Sequence, residues 1–192
     1  MQKQITLIRH GETDWNLQKR YMGHADIKLN ARGISQAEEL RRRLNGKRFK
    51  KIYSSPSSRA FQFASIIFGK DVCIEKLEQF KEIDFGIFEG FRYEKLMERY
   101  ADLYRNWVKD PYSVAIPDGE KMSDFRSRVL EGFKMVSALG YESAAIVTHG
   151  GPISIIINEL KKKSDFWGSI PPPSGIVTIF RDTENGEWAI DG

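Results

Sequence analysis

The sequence has few of the residues that build disulfides, metal clusters and membrane spans. Its 192 residues include one cysteine, Cys73, and three histidines. A single cysteine forms no internal disulfide and supports no cysteine-based metal cluster. No run approaches the roughly 20 apolar residues of a membrane span, and the first apolar run is too short for the core of a signal peptide. We therefore predict a cytoplasmic protein with no membrane partner.

The charge balance is mildly basic. Lys and Arg number 30 against 26 Asp and Glu, which gives a formal net charge of +4. We interpret the short basic runs, such as residues 41–43 and 161–163, as solvated helix ends. A stripe for nucleic acid is an alternative. A third interpretation is that part of the charge serves a small anionic ligand.

Apolar strands alternate with amphipathic helices along the chain, which is typical of a mostly parallel sheet covered by helices. The length fits one domain. Ser55 and Pro56 suggest the N-cap and first residue of one helix, and residues 93–108 predict one or two helices. The expected strands are residues 4–9, 51–54, 72–75, 144–148, 175–180 and 188–190, and the other helices are 33–44, 123–139 and 150–160.

Charged and imidazole side chains follow several of these strands. Arg9 and His10 come after the first, Arg59 opens the helix after the second, and His149 follows the central strand. In open α/β sheets, ligands bind at the carboxyl ends of strands, where helix N-termini favour anions. Each residue alone is weak evidence, but the ordered set predicts a phosphate pocket. His24 lies in a polar loop and is interpreted as a structural or rim residue.

The motifs around these residues resemble the histidine phosphatase superfamily, the phosphoglycerate mutase-like fold. The similarity covers nearly the whole chain, in order. The matching segments are residues 7–13 with Trp15 and Asn16, 23–33 with Gln36 and Ala37, 54–60, 81–86 with Glu89 and Gly90, 117–120 and 148–151.

The resemblance implies an α/β fold, a three-layer α/β/α sandwich with a mostly parallel central sheet. It implies a single domain over residues 1–192 with a small helical cap inserted at about 80–120. It also implies a metal-independent phosphatase that needs no cofactor and acts on a small phosphorylated metabolite. The implied catalytic residues are His10 as nucleophile, Glu82 as general acid and then base, and His149. The implied phosphate-binding residues are Arg9, Asn16, Arg59, His149 and Gly150.

Elementary electrostatics is consistent with the role of His10 and raises a question about Glu82. The two arginines should lower the pKa of His10 and keep one ring nitrogen unprotonated. The same arginines should depress the pKa of Glu82, although a general acid must be protonated. We expect a bound phosphate dianion to offset that effect. Asp84 is a less favoured candidate for the acid.

Two departures favour the phosphatase branch over phosphoglycerate mutases. The resemblance implies that a mutase carries an arginine directly after the acid, where this chain has Ile83, and a longer basic insertion before residue 117. The pattern is most similar to α-ribazole 5′-phosphate phosphatases of cobalamin biosynthesis. Phosphoserine or broad-specificity sugar-phosphate phosphatases, a mutase, and a non-enzymatic phosphate- or nucleic-acid-binding module remain alternatives. A homodimer paired through the apolar strands near the end of the chain is a further alternative.

Aromatic residues are concentrated in residues 80–112. One interpretation is a small core for the cap. The other is that the exposed members form an apolar surface for the leaving group of the substrate.

Overall fold

A six-stranded sheet lies at the centre of the computed structural model, which describes residues 3–163, 166–182 and 186–190. The strands are β1 (Lys3–Arg9), β2 (Lys51–Ser54), β3 (Glu75–Lys76), β4 (Ser143–Thr148), β5 (Ile176–Arg181) and β6 (Trp188–Ile190). Their order in the sheet is β3-β2-β4-β1-β5-β6. Strands β1 to β4 run parallel to one another, and β5 is antiparallel to both of its neighbours, β1 and β6. The predicted mostly parallel sheet is therefore confirmed.

Helices cover both faces of this sheet. They are α1 (Asp14–Leu17), α2 (Ala31–Arg43), α3 (Ser58–Phe68), α4 (Tyr93–Lys109), α5 (Met122–Ala138) and α6 (Gly150–Lys161). In β1, Ile5 and Leu7 pack in the cluster that contains residues of α5 and α6, whereas Ile8 packs in the cluster that contains residues of α2 and α3. This division follows from the two-residue period of a strand, whose successive side chains point to opposite faces. The arrangement confirms the three-layer sandwich.

The segment between β3 and α5 builds a third apolar cluster. Its buried members are Phe88, Leu96, Trp107 and Ile116. Two single-turn 3-10 helices, Glu78–Phe80 and Gly86–Phe88, precede α4. Helix α4 is one element with a non-helical backbone at Tyr100, within the range expected to hold one or two helices.

Strand register brings distant parts of the chain to one sheet edge. Arg9 of β1 is paired with Thr148 of β4, and Ser54 of β2 with Val147. The residues that follow these strands, His10, His149 and Ser55, therefore leave the sheet side by side.

The start of α3 differs from the prediction. The helix begins at Ser58, and Ser57 rather than Ser55 occupies the N-cap position. The backbone N–H of Ser55 instead donates to the carbonyl of Val147 at 2.9 Å, which continues the sheet. Asp26 caps the helix from a distant loop by accepting from the Ser58 N–H at 2.9 Å and the Ser58 hydroxyl at 2.6 Å.

Other elements also depart from the sequence-based expectation. Strand β3 covers two residues at 75–76 instead of 72–75. Helix α1 was not predicted; Thr13 and Asn16 form a capping box at its start. None of the helices in the described ranges is both long and apolar enough to cross a bilayer.

Candidate active site

One cavity at the carboxyl edge of the sheet gathers most of the predicted site residues. Arg9, His10, Asn16, Glu82 and Gly150 all line it. Arg59 and His149 are fully buried close behind this lining. The rings of His10 and His149 meet edge to face, with centroids 5.0 Å apart.

His10 is held in one defined tautomer. Its Nδ1 lies 2.7 Å from the carbonyl oxygen of Gly11. Because a carbonyl oxygen only accepts, Nδ1 carries the hydrogen, and in the neutral ring Nε2 bears the lone pair. Burial lowers the pKa of His10 well below its ordinary value, and Arg59 and Arg9 lower it further. The predicted direction is confirmed, with burial as the larger cause. The ring can therefore present an unprotonated nitrogen to an electrophile.

His149 is the N-cap residue of α6. Its Nε2 lies 2.8 Å from the Ser55 hydroxyl, while its Nδ1 is buried with no hydrogen-bond partner. Burial, followed by Arg59, lowers the pKa of His149 well below its ordinary value. Since the Ser55 hydroxyl can donate to Nε2, an anion at Nδ1 would favour the tautomer with hydrogen on Nδ1.

The two predicted arginines are anchored by backbone carbonyls. Arg59 donates to Ala25 at 2.8 Å and Gly23 at 2.6 Å, and Arg9 donates to Pro171 at 2.5 Å. The Nε atoms of both arginines are buried without a partner. An unpaired buried donor costs free energy. An anion that accepts hydrogen bonds from these guanidinium groups would remove that cost.

Asn16 is oriented by its role in the α1 capping box. Its Oδ1 accepts from the Thr13 N–H at 3.1 Å and the Thr13 hydroxyl at 3.0 Å. The amide oxygen is thereby occupied, which leaves the Nδ2 group of Asn16 as the donor that a ligand in the cavity can use.

Glu82 is fixed by two backbone N–H groups. Gly151 and Ile83 each donate to one carboxyl oxygen at 3.1 Å. A Cβ added at Gly151 would overlap the Glu82 carboxyl, so the absence of a side chain there gives the acid its place. Asp84 is outside the cavity lining, and its carboxyl faces Gly86 and His24.

The pKa of Glu82 corrects the expectation that the arginines would depress it. Burial raises this pKa above its ordinary value, and it outweighs the lowering by the two N–H donors and by Arg9 and Arg59. Desolvation disfavours the charged carboxylate more than distant cations favour it. Burial therefore shifts the acid toward its protonated form before any dianion binds.

The opposite wall of the cavity is largely apolar and was mostly missed in the sequence. Of the aromatic residues at 80–112, only Phe85 lines it, while Phe88 and Trp107 are buried in the third cluster. No local pattern marks the other lining residues, because they come from two loops that only tertiary packing brings together. They are Arg20, Tyr21, Met22, Phe166, Trp167 and Ile170.

The loop that follows α6 joins this apolar wall to the histidine edge. Trp167 packs on Trp107, with ring centroids 5.1 Å apart. Farther along the loop, the Ser174 N–H donates to the His10 carbonyl at 3.0 Å. The third histidine, His24, interpreted as a structural or rim residue, is exposed and outside the cavity lining, and its Nε2 lies 3.1 Å from the Glu82 carbonyl oxygen.

The arrangement suits nucleophilic attack on an electrophilic atom that carries anionic oxygens. A lone pair on His10, donors on two arginines and Asn16, and a carboxyl whose pKa is raised by burial surround one space. Within residues 3–163, 166–182 and 186–190, no group of three or more His, Cys, Asp or Glu side chains is placed to hold a metal ion.

Comparison with known proteins identifies the family that the sequence motifs resemble, over nearly the whole chain. The family model of the histidine phosphatase superfamily (branch 1) matches residues 5–191. Phosphoserine phosphatase 1 of Hydrogenobacter thermophilus is 32% identical over 167 residues, which cover 85% of this chain and 79% of that protein. Adenosylcobalamin/alpha-ribazole phosphatase of Escherichia coli is 33% identical over 159 residues, covering 81% and 78%.

A solved structure shows the same fold. The alpha-ribazole phosphatase from Shigella flexneri superposes with a TM-score of 0.88 at 28% identity, and the match covers 98% of this chain and 94% of that one. The chain belongs to the histidine phosphatase superfamily.

Proposed function

We propose that the protein is a phosphoric monoester hydrolase that works through a phosphohistidine at His10. The observation that carries the proposal is the tautomer of His10, whose Nδ1–H is bound to Gly11 in a ring that lines the cavity beside Glu82 and Arg9. Covalent transfer of this kind splits one difficult hydrolysis into two easier steps.

In the first step, His10 Nε2 attacks phosphorus and the bond from phosphorus to the ester oxygen breaks. Glu82 gives its proton to that oxygen, and the alcohol leaves. The donors on Arg9, Arg59 and Asn16 stabilise the charge on the equatorial oxygens in the transition state.

In the second step, a water molecule attacks phosphorus and gives a proton to the Glu82 carboxylate. The bond from Nε2 to phosphorus breaks, the lone pair returns to His10, and inorganic phosphate leaves. Glu82 thus ends the cycle protonated, in the state that its raised pKa favours.

The apolar wall supports a substrate with a flat, uncharged part beside its phosphate. Among the described lining residues Glu82 is the one carboxylic acid, so no second acid would pair with the ammonium group of phosphoserine. Tyr21, Phe166 and Trp167 would instead contact an aromatic or apolar group. We therefore favour α-ribazole 5′-phosphate, in cobalamin biosynthesis, over phosphoserine or sugar phosphates.

A phosphoglycerate mutase is the second enzymatic candidate, and the site supports it less. Ile83, which follows the acid, is 1% exposed and packs in the main core. Arg20 is the one cation on the leaving-group side among the described lining residues. A carboxylate and a second phosphate would therefore find few charged partners. Stimulation of phosphoglycerate interconversion by 2,3-bisphosphoglycerate would favour the mutase.

The activity test uses p-nitrophenyl phosphate in the presence of EDTA. Wild type and a Cys73→Ala control, which removes the exposed thiol, should release phosphate equally. His10→Ala should lose activity by at least about 100-fold. Wild type quenched during turnover of a ³²P-labelled ester should carry an acid-labile label at His10. Full activity in His10→Ala, or loss of wild-type activity with EDTA, would contradict the proposal.

We propose action in the cytoplasm on a small metabolite, with neither nucleic acid nor membrane as partner, and pairing of two copies through the edge strand β6. Tight, salt-sensitive DNA or RNA binding without turnover would instead favour a non-enzymatic binding module. Light scattering measures the oligomeric state.

A further inference from the structure

The backbone that carries Glu82 has no regular secondary structure to hold it. Residues 81–85 lie between two single-turn 3-10 helices. Carbonyl oxygens in such a segment lack ladder partners, yet buried carbonyls need hydrogen bonds. The position of the acid therefore depends on side chains that come from elsewhere in the fold.

One side chain on α5 binds the carbonyl of the acid and that of the residue before it. Arg128 Nη1 donates to the carbonyl of Gln79 at 3.0 Å and to that of Lys81 at 2.9 Å. Its Nη2 donates to the carbonyl of Glu82 itself at 2.9 Å. A planar guanidinium with five N–H donors can connect several carbonyls in this way, whereas a lysine ammonium cannot reproduce the geometry.

A carboxylate holds the arginine in turn. Both oxygens of Glu120 accept from Arg128, at 2.6 Å from Nε and 2.8 Å from Nη2. The backbone N–H of Glu120 also donates to the Asp84 carbonyl at 3.0 Å. The pair is 22% and 17% exposed, so it is better shielded from solvent than an ordinary surface ion pair.

We propose that Arg128, oriented by Glu120, is a positioning residue that holds the Glu82 carboxyl at the leaving oxygen of the substrate. The inference rests on the proposed function, in which Glu82 is the general acid. Proton transfer requires the acid within hydrogen-bond reach of the oxygen that it protonates. Loss of Arg128 would release the Gln79 and Lys81 carbonyls and leave the Glu82 carbonyl to His24 Nε2 alone. Residues 79–82 could then move and carry the carboxyl out of that reach.

A purely structural role for Arg128 makes a different prediction from a positioning role. Loss of folding or of phosphate binding would slow every substrate alike. Loss of the acid slows an alkyl phosphate strongly, because its leaving oxygen needs a proton, and slows p-nitrophenyl phosphate little, because nitrophenolate leaves as an anion. The ratio of the two rates therefore separates the roles.

The experiment compares kcat/KM for 2-glycerophosphate and for p-nitrophenyl phosphate. This parameter covers the steps through departure of the leaving group, so the later hydrolysis of phosphohistidine does not mask the effect. The variants are Arg128→Gln, Arg128→Lys and Glu120→Gln, with Glu82→Gln as benchmark. Arg126→Gln is the matched control, because Arg126 lies on the same helix and pairs with Glu159, away from the acid. Thermal unfolding of each variant reports its folding.

Arg128→Gln should lose about 10- to 100-fold with the alkyl ester and less than about 3-fold with the aryl ester. Arg128→Lys and Glu120→Gln should show the same selectivity to a smaller degree, and Arg126→Gln should match wild type. Equal losses with both esters, or no loss, would overturn the inference; if Arg128→Gln does not fold, the other two variants decide. Failure of the proposed function would look different: His10→Ala would keep its activity.

Discussion

Burial is the main cause of the pKa shifts of three ionisable side chains in the site. It lowers the pKa of His10 and of His149 and raises the pKa of Glu82. Burial thereby favours neutral imidazoles and a protonated carboxyl, the charge states that the proposed phosphoryl transfer needs. Cations nearby add to the effect on the histidines and oppose it on Glu82, without reversing it.

The two buried histidines predict a loss of stability in mild acid. The unfolded chain takes up protons on both imidazoles near their ordinary pKa of about 6.5, whereas the native protein does so only at lower pH. The contribution of each imidazole to the free energy of unfolding should therefore fall as pH drops below about 6.5, by on the order of 1 kcal/mol for each pH unit. Glu82, whose pKa is raised, contributes in the opposite direction and offsets part of the loss from the two histidines.

Urea unfolding between pH 7.5 and pH 5.5 measures this slope. His10→Gln removes one of the two groups, so its slope should be shallower than that of wild type over the same range. Equal slopes for the two proteins would show that His10 does not account for the effect.

At the scale of elements, the site lies where strand ends and a helix start converge. Helix α6 supplies His149 as its N-cap residue, Gly150 to the cavity lining, and the Gly151 N–H to Glu82. The first turn of one helix thus contacts both the phosphate side and the acid. Small residues are needed there because the acid packs directly against the backbone.

Gly151→Ala should lower both activity and stability. The added Cβ would overlap the Glu82 carboxyl and would also lie 2.9 Å from Cζ of Phe125, a fully buried ring of the main core. Overpacking of the core should therefore lower thermal stability, although alanine favours helix more than glycine does. The kcat/KM for 2-glycerophosphate should fall by about 10- to 100-fold.

Gly140→Ala is the control for this substitution, because nothing lies within 4 Å of a Cβ added there. That variant should keep wild-type activity. Unchanged alkyl phosphatase activity in Gly151→Ala would mean that the carboxyl does not need its observed position.

The strand ends could be predicted from the sequence, and the side chains that reach across the fold could not. A buried apolar run followed by His10 or His149 marks a sheet edge through local pattern alone. Arg128 is 46 to 49 residues along the chain from the carbonyls it binds. Trp167 reaches the cavity from a loop with no distinctive sequence pattern. Ser55 resembled a helix cap, but the sheet extends through its backbone and Asp26 takes the capping role. Such contacts depend on tertiary packing.

At the scale of the whole molecule, the site is costly to form because several of its buried polar atoms have no hydrogen-bond partner within the described protein. They are the Nε atoms of Arg9 and Arg59 and Nδ1 of His149, all at one edge of the sheet. A phosphate ion can accept hydrogen bonds from donors of this kind, so binding should stabilise the native state more than the unfolded chain.

Inorganic phosphate should therefore raise the thermal midpoint above that in chloride at the same ionic strength. At a phosphate concentration of 100 times Kd, the free energy of unfolding should increase by about 2.7 kcal/mol. Asn16→Asp keeps an oxygen for Thr13 but places a negative charge at the cavity, so its gain should be much smaller. The same gain in both proteins would place the bound ion elsewhere.

The pairing of β1 with β4 also decides when this protein can first act. Arg9 and Thr148 are neighbours in the sheet, yet well over a hundred residues of chain separate them. Contacts that are distant in sequence form late and slowly in folding. During synthesis, His10 emerges from the ribosome long before the strand and loop that complete its surroundings. Catalysis can therefore begin only after β4 and the loop at Ser174 have packed against β1 and His10. Enzymatic activity during refolding thus measures the fraction of chains that have completed the fold.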